Sequence, residues 1–310
     1  MNSELLRQAS LLDAAGIIPG RGESEEEFFH RAQRSFDVQR QLSNALITGG
    51  GTTVFDEIEI TGERRADPAI LEEAGELTEQ LYGFKVQHVP GFYLSGSVGL
   101  LWGGCLIGDP DLDLSVFFLR DSFKNRKKWL FYDRTELAAH ELCHSARTAL
   151  NEVMLEEYFA YRTSSSGLRR YLGNCFIRDY DALLFVIPAL FLPLAQFAQI
   201  FLWNKLAVFP FWIAALIYPV YLLVRNQRAR NLVNRARRVL KNCGITMAEA
   251  VLFRCVPQEL EELSRLKTRG ELEEYVNKKG ETELRWLVIG RRFIDPCFVE
   301  ETANGQNQNK

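Results

Sequence analysis

The hydrophobic and polar pattern of this chain of 310 residues predicts helices first, then short strands, then two long apolar segments. Apolar positions recur at helical spacing over residues 2–18 and 24–47. Ser24 lies three residues before Glu27, which is the capping-box spacing that begins a helix. We therefore predict that residues 1–50 form an N-terminal helical region.

Short apolar runs separated by glycines follow this region, and they indicate a small sheet. The strand-like runs cover residues 52–60, 84–89, 92–94, 98–107 and 112–119. An amphipathic helix is predicted between the first two runs, over residues 69–82. We predict that residues 51–180 form a mixed α+β core around this sheet.

The strongest shift in composition begins after Asp181. Residues 182–203 carry no charge, and neither do residues 206–224. Each segment is long enough to cross a bilayer, since about 20 apolar residues span its hydrocarbon core. Only Asn204-Lys205 separates the two segments, so we predict a transmembrane helical hairpin over residues 181–224. The structural alternative is a hairpin buried in a protein core.

Basic residues flank this hairpin on both sides, against one lysine in its turn. They are Arg162, Arg169, Arg170 and Arg178 before it, and Arg225, Arg228, Arg230, Arg235, Arg237, Arg238 and Lys241 after it. Positive residues stay on the cytosolic side of a membrane. We expect an integral membrane protein with two spans, whose flanking regions are cytosolic and whose turn faces outward, in the plasma or inner membrane if it is bacterial.

Residues 225–310 are predicted to begin with a basic juxtamembrane helix that lies against anionic headgroups. A small, mainly helical C-terminal cytosolic domain follows. Its predicted elements are helices from Thr246 and over residues 257–266 and 271–278, a strand over residues 284–289, and a polar tail over residues 301–310. No chemistry is predicted in this region.

The residues that indicate chemistry are His140-Glu141-Leu142-Cys143-His144, on a helix predicted over residues 135–147. Residues four apart share one face of a helix, so both imidazoles point to one spot, with Glu141 beside them. A short strand predicted over residues 128–132 leads into this helix. This H-E-x-x-H pattern is typical of a zinc site whose glutamate takes a proton from the zinc-bound water.

A catalytic zinc needs a third protein ligand and one open position. A second helix predicted from Glu152 to Thr163 would form an antiparallel hairpin with the motif helix. His144 would then lie level with Glu156 and Glu157, and either glutamate can complete the site. The expected cofactor is one Zn²⁺ per chain.

The motif and the stretch Leu155–Ala160 together resemble gluzincin-type zinc metallopeptidases. In those enzymes the third ligand is a glutamate on a following helix, often with a small residue three positions later. Glu157 followed by Ala160 fits that pattern, and Glu156 is the alternate ligand. The resemblance also implies that an edge strand of the sheet holds the substrate backbone by strand addition.

The chain departs from this family at Tyr161, where several members carry an aspartate that orients a ligating histidine. We expect Glu136 or Glu152 to take that orienting role. A transition-state stabiliser is also required, and Tyr161 and Tyr158 are the candidates, with Arg147 nearby in sequence.

The composition of the chain indicates which classes of partner and which redox compartment to expect. The net charge of −3 gives no basic field of the kind that nucleic-acid binders use, so no nucleic-acid partner is expected. Six cysteines without a C-x-x-C pair fit reduced thiols in the cytosol. Cys143 is expected to pack in the core, His30 to lie on the surface, and His88 to be structural.

These features predict a membrane-anchored zinc metallopeptidase that hydrolyses peptide bonds in a protein or peptide substrate, with Glu141 as the general base. The predicted fold is α+β, with a small sheet packed on the motif helix and on a following glutamate-bearing helix, plus the transmembrane hairpin. Two alternatives are a non-catalytic membrane zinc-binding or sensor protein, and a membrane scaffold hairpin without metal.

Overall fold

A computed structural model of the chain describes residues 3–47, 52–54, 58–86, 88–94, 102–109 and 114–295. The helices in these ranges are α1 (Ser3–Ala14), α2 (Glu25–Ile47), α3 (Pro68–Tyr82), α4 (Arg134–Arg147), α5 (Glu156–Ala160), α6 (Gly167–Leu172), α7 (Asp179–Phe201), α8 (Phe209–Asn242), α9 (Ala248–Phe253), α10 (Pro257–Leu263), α11 (Arg269–Gly280) and α12 (Leu284–Ile289). The strands are β1 (Thr52–Val54), β2 (Ile58–Ile60), β3 (Gly91–Leu94), β4 (Gly104–Asp109), β5 (Leu114–Arg120), β6 (Lys128–Trp129) and β7 (Tyr132–Asp133). The predicted mixed α+β composition, with a small sheet and two apolar helices, is confirmed.

The main sheet has three strands in the order β3-β5-β4. β3 runs parallel to β5, and β4 pairs antiparallel with β5 from Gly104 opposite Leu119 to Asp109 opposite Leu114. Among the described strands, β4 therefore lies at an edge of the sheet. Gly104 is needed in it because an added Cβ would lie 2.6 Å from the carbonyl oxygen of Phe118.

The strand predicted over residues 84–89 is not formed in its described part, residues 84–86 and 88–89. Phe84, Val86 and Val89 are buried instead in the core around α3 and α4. Their alternation reflects the burial of an irregular segment, which periodicity alone does not distinguish from a strand. Residues 98–101 of another predicted strand and the predicted polar tail lie outside the described residues.

α3 is delimited by strong local signals. Asp67 caps its first turn by accepting a hydrogen bond from the amide of Ala69 at 2.9 Å, and Pro68 occupies the first helical position. Gly83 ends the helix with φ of +70°, a conformation that favours glycine. α3 lies against α4 and supplies much of the wall behind the motif helix.

A tight hairpin leads into α4, where the sequence predicted a single strand over residues 128–132. β6 and β7 pair with each other, and Leu130 turns the chain with φ of +50°. Asp133 then caps α4, because its carboxylate accepts hydrogen bonds from the amides of Thr135 and Glu136 at 3.0 and 3.3 Å. This cap fixes the start of the helix that carries the motif.

α7 and α8 are long and apolar enough to cross a membrane. Only 6% and 11% of the apolar windows of α7 and α8 are buried against the rest of the chain, so most of their large side chains are exposed. The start of α7 is joined to α8, because the buried Asp181 accepts hydrogen bonds from Tyr218 at 2.6 Å and from Arg225 at 2.5 Å. α8 continues past its apolar part into the basic segment without a break.

One hydrophobic core extends from α3, α4 and α5 to the second half of α8 and to α9 through α12. The N-terminal helix joins the C-terminal region through a fully buried ion pair, in which Arg254 contacts Asp13 at 2.8 Å. Residues 284–289, predicted as a strand, form α12. Their apolar side chains are buried around most of the helix, so no polar face marks its period.

Candidate metal centre

α4 brings His140 and His144 to one face, and α5 lies opposite. α5 begins at Glu156, later than the predicted Glu152, because Glu152 caps the preceding turn. Its carboxylate accepts hydrogen bonds from the amides of Met154 at 2.6 Å and Leu155 at 3.0 Å. The connection holds one left-handed residue, Asn151, with φ of +47°.

His140, His144 and Glu157 form a group that could hold a metal ion, with donor atoms all within 4.8 Å of one another. The two Nε2 atoms lie 3.2 Å apart. The carboxylate of Glu157 lies 3.5 Å from Nε2 of His144 and 3.6 Å from Nε2 of His140. Donors on a tetrahedral zinc with bonds of about 2.0–2.1 Å are separated by about 3.3 Å, so these three donors fit that geometry.

Glu156 faces the other side of His144. Its Oε2 lies 3.3 Å from Nδ1 of His144, and its Oε1 accepts a hydrogen bond from Nε of Arg147 at 2.8 Å. A carboxylate on the second nitrogen of a ligating histidine fixes the ring and its tautomer. Glu156 is thus placed to orient His144, a role that the sequence pattern predicted for Glu136 or Glu152.

Arg147 holds Glu156 in this position. The guanidinium is fully buried, contacts Glu152 at 3.2 Å, and donates to the carbonyl of Phe253. It also lies over the ring of Phe159, with 4.7 Å between the guanidinium carbon and the ring centroid. The last turn of α4 is therefore tied through one arginine to α5 and α9.

The two carboxylates predicted to orient the histidines lie elsewhere. Glu136 accepts hydrogen bonds from Ser164 Oγ at 3.0 Å and from the amide of Ser165 at 2.9 Å. Glu152 contacts Arg147, as described above. Among the contacts of the described residues, neither carboxylate reaches a motif histidine. The adjacent Glu156-Glu157 pair was the sequence signal that two carboxylates could lie beside His144.

His140 has its own second partner, a hydrogen bond with the backbone of Ala160. Burial, together with the neighbouring His144, lowers the pKa of His140 to about 3. Burial also acts to lower the pKa of His144, but the hydrogen bond that His144 donates to Glu156 and the charge of Glu157 outweigh it and raise that pKa to about 9. The two carboxylates beside His144 thus favour the protonated form of its ring.

Glu141 is held by the edge of the sheet. Its Oε2 accepts a hydrogen bond from the amide of Leu106 in β4 at 2.9 Å. Burial raises the pKa of Glu141 to about 7, although the charge of His144 and the Leu106 amide oppose that shift. A carboxyl group with a pKa near neutrality can both accept and return a proton.

The two candidate tyrosines differ in their surroundings. The ring of Tyr161 packs edge-on against His140, with 4.6 Å between centroids. Gly173 allows this position, because an added Cβ would lie 2.0 Å from the Tyr161 ring. Tyr158 is buried against α8, where its hydroxyl accepts a hydrogen bond from Arg237 at 3.0 Å.

The remaining residues singled out by the sequence lie outside the metal group. Cys143 is fully buried in the core, as predicted. His30 is exposed on α2, and His88 is half-buried with its ring 5.7 Å from that of Phe36.

No family model, curated protein or solved structure matches the chain. The case for function therefore depends on the arrangement of its own residues.

Proposed function

We propose that the chain is a membrane-anchored zinc metallopeptidase. The observation that carries the proposal is the spacing of three donors, His140, His144 and Glu157, at distances that suit tetrahedral zinc, with Glu141 on the same helix. A zinc ion held by these residues would lower the pKa of water and polarise a carbonyl group. Three protein ligands leave the open position that catalytic sites keep.

Glu141 supplies the proton transfer. It takes a proton from the water that attacks the carbonyl carbon of the scissile peptide bond, and it returns that proton to the amide nitrogen as the C–N bond breaks. The hydrogen bond from Leu106 holds one carboxylate oxygen and leaves the second for this exchange. Tyr161, packed on His140, is the candidate for stabilising the oxyanion, since the hydroxyl of Tyr158 is engaged by Arg237.

β4 offers a place for the substrate backbone. The carbonyl of Gly103 points toward β5, and the amide of Leu106 points toward Glu141. By strand alternation, the backbone groups of Gly104, Leu106 and Gly108 share the outward edge. An extended peptide added there would run beside Glu141, with two glycines leaving room for its side chains.

The membrane placement is part of the same proposal. The apolar side chains of α7 and α8 are exposed and would be buried in a bilayer, whose hydrocarbon core of about 30 Å matches segments of this length. By the positive-inside rule, the basic flanks favour a cytosolic position for the metal group. Between α5, which carries Glu157, and the start of α7 at Asp179, the chain has one α-helix, the short α6. The substrate would therefore be cleaved near the membrane surface.

The test combines metal analysis with turnover. Purified wild type should hold about one zinc per chain and cleave members of a quenched-fluorescent peptide library. Glu141→Gln should keep the zinc and lose at least a hundredfold in cleavage rate, because the base is removed while the ligands remain. His144→Ala should lose both, and Glu26→Gln on the exposed face of α2 should change neither.

Other outcomes separate the alternatives. Zinc without turnover of any peptide would favour a zinc-binding or sensor protein. Absence of zinc from the wild type would favour a scaffold hairpin. Full cleavage by Glu141→Gln would reject the proposed mechanism.

A further inference from the structure

An open cavity of about 1220 Å³ lies beside α8, where its apolar part ends. Tyr221, Val224 and Leu232 contribute apolar surface to it. The lining also holds one carboxylate, Glu261, which pairs with Arg265 outside the cavity, and six arginines: Arg178, Arg225, Arg228, Arg235, Arg237 and Arg238. The cavity therefore combines an apolar wall with a concentration of positive charge.

Only part of this charge is neutralised. Two of the arginines pair with carboxylates, Arg225 with Asp181 and Arg237 with Glu249. The other four have no carboxylate partner within the part of the chain that the structure describes: Arg178, Arg228, Arg235 and Arg238. An anion bound among these guanidiniums would form charge-assisted hydrogen bonds without displacing a carboxylate.

The position of the cavity relative to the proposed membrane span indicates that this anion is a lipid headgroup. Arg228 lies four residues beyond Val224, which is about 6 Å along the helix. The polar layer on each side of a bilayer is about 5–8 Å thick, so Arg228 reaches headgroup level if Val224 ends the span. Arg178 lies at the same boundary, because it precedes α7 and sits one turn before Asp181, the partner of Arg225.

The apolar wall continues toward the membrane. Beyond Tyr221 and Val224, α8 exposes Ile217 and Val220, whose side chains are 62% and 55% accessible. Acyl chains can lie along these residues while a phosphate sits among the arginines. A free phosphate would leave the apolar part of the cavity uncovered.

We propose that this cavity binds the headgroup of an anionic phospholipid, with Arg178 and Arg228 as its principal phosphate contacts. Arg235 and Arg238 lie about 10–15 Å further along α8 and raise the positive potential over the site. The inference rests on the membrane placement of α7 and α8 proposed above, and it does not depend on the metal or on hydrolysis.

The cavity contacts the segment around α5, the helix that carries Glu157. Met154 lines the cavity two residues before Glu156, and Arg237 in the lining donates to Tyr158 on α5. A headgroup in the cavity would contact both α8 and the segment that leads into α5.

The experiment is native mass spectrometry of the full-length protein in detergent, titrated with dioleoyl phosphatidylglycerol or dioleoyl phosphatidylcholine. We expect the wild type to bind phosphatidylglycerol at least tenfold more tightly than phosphatidylcholine. Arg178→Gln/Arg228→Gln should reduce phosphatidylglycerol binding at least tenfold. The control Arg126→Gln/Lys241→Gln removes the same charge from exposed positions outside the cavity and should stay within twofold of the wild type.

Three results would overturn the proposal. Equal binding of the two lipids would show that the headgroup charge does not determine binding. Equal loss of binding in both double variants would show that only the net charge of the protein matters, and not the arginines of the cavity. Displacement of phosphatidylglycerol by millimolar inorganic phosphate would assign the arginines to a soluble anion instead of a lipid. Failure of the membrane proposal would be detected by a separate measurement, because alkaline carbonate would then release the chain from membranes.

Discussion

Oε2 of Glu156 lies 3.3 Å from Nδ1 of His144, on the opposite side of the ring from the Nε2 atom that faces His140. Adjacent glutamates on α5 thus contact the same histidine through different nitrogens, since Glu157 lies 3.5 Å from Nε2. One glutamate is placed to bind a metal ion, and its neighbour is placed to orient a ligand.

This geometry predicts different effects for the two glutamates on zinc affinity. Glu157→Ala should abolish stoichiometric zinc, because a donor is lost. Glu156→Gln should weaken zinc binding about 10–100-fold, because the orienting carboxylate is lost while all three donors remain. Competition with a chromophoric chelator measures both.

Glu136→Gln provides the matched control, since that carboxylate lies on α4 but contacts Ser164 and Ser165. Its zinc affinity should match the wild type. If Glu156→Ala lost zinc while Glu157→Ala kept it, the third ligand would be Glu156 and our assignment would be wrong.

The buried pair of Asp13 and Arg254 predicts a large effect on stability. Both side chains are fully buried, and Arg292 also contacts Asp13. Asp13→Ala should lower the free energy of unfolding by about 3–5 kcal/mol, because it leaves buried guanidinium charge uncompensated. Thermal unfolding followed by tryptophan fluorescence measures the loss.

Asp37→Ala serves as the comparison for Asp13→Ala. Asp37 is half-buried on α2, with its side chain 43% accessible, and lies 3.9 Å from Arg40, so its removal should have little effect. Equal shifts in the two variants would show that the Asp13 pair does not hold the N-terminal helix to the C-terminal region.

The pKa of His88 predicts a pH dependence of stability. Burial, with a smaller contribution from the charge of Arg31, lowers that pKa from 6.5 to about 4. As the pH falls below 6.5, the unfolded chain takes up the proton before the folded chain does. The wild type should therefore lose about 2–3 kcal/mol of stability between pH 6.5 and pH 4 from this residue alone.

His88→Phe keeps a ring beside Phe36 and removes this titration. The unfolding temperature of the variant should rise relative to the wild type as the pH falls from 7 to 5. His30→Phe, at an exposed position, should follow the wild-type profile. Parallel pH profiles for His88→Phe and the wild type would contradict the predicted role of His88.

The parts of the molecule that the sequence predicted well depend on short-range patterns. Four-residue spacing places His140 and His144 on one face, and a run of uncharged residues marks each apolar helix. Glu157 could be proposed because it follows the motif by fewer than twenty residues and a reversal of the chain brings it back. Glu157 lies opposite the motif histidines although α5 starts later than predicted, because the turn capped by Glu152 replaces the first turn of the predicted helix.

The parts that escaped prediction depend on long-range side-chain contacts. The contact of Glu156 with His144 depends on where Arg147 and α9 hold the carboxylate, which no local pattern records. The pairing of Asp13 with Arg254 joins residues 241 positions apart. Likewise, β4 becomes an edge strand beside Glu141 only through the order of three short strands.

The exposed apolar helices predict both membrane retention and a defined topology. The chain should stay with membranes through alkaline carbonate extraction, because α7 and α8 present apolar side chains over the length of a bilayer. Asn204→Cys in the turn between them should react with a membrane-impermeant maleimide in intact cells, since the basic flanks hold the other side in the cytosol. Lys278→Cys, exposed on α11, should react only after lysis. Labelling of Lys278→Cys alone before lysis would show the opposite topology, and labelling of both positions before lysis would reject a hairpin with a cytosolic C-terminal region. Either result would move the metal group away from the cytosolic face.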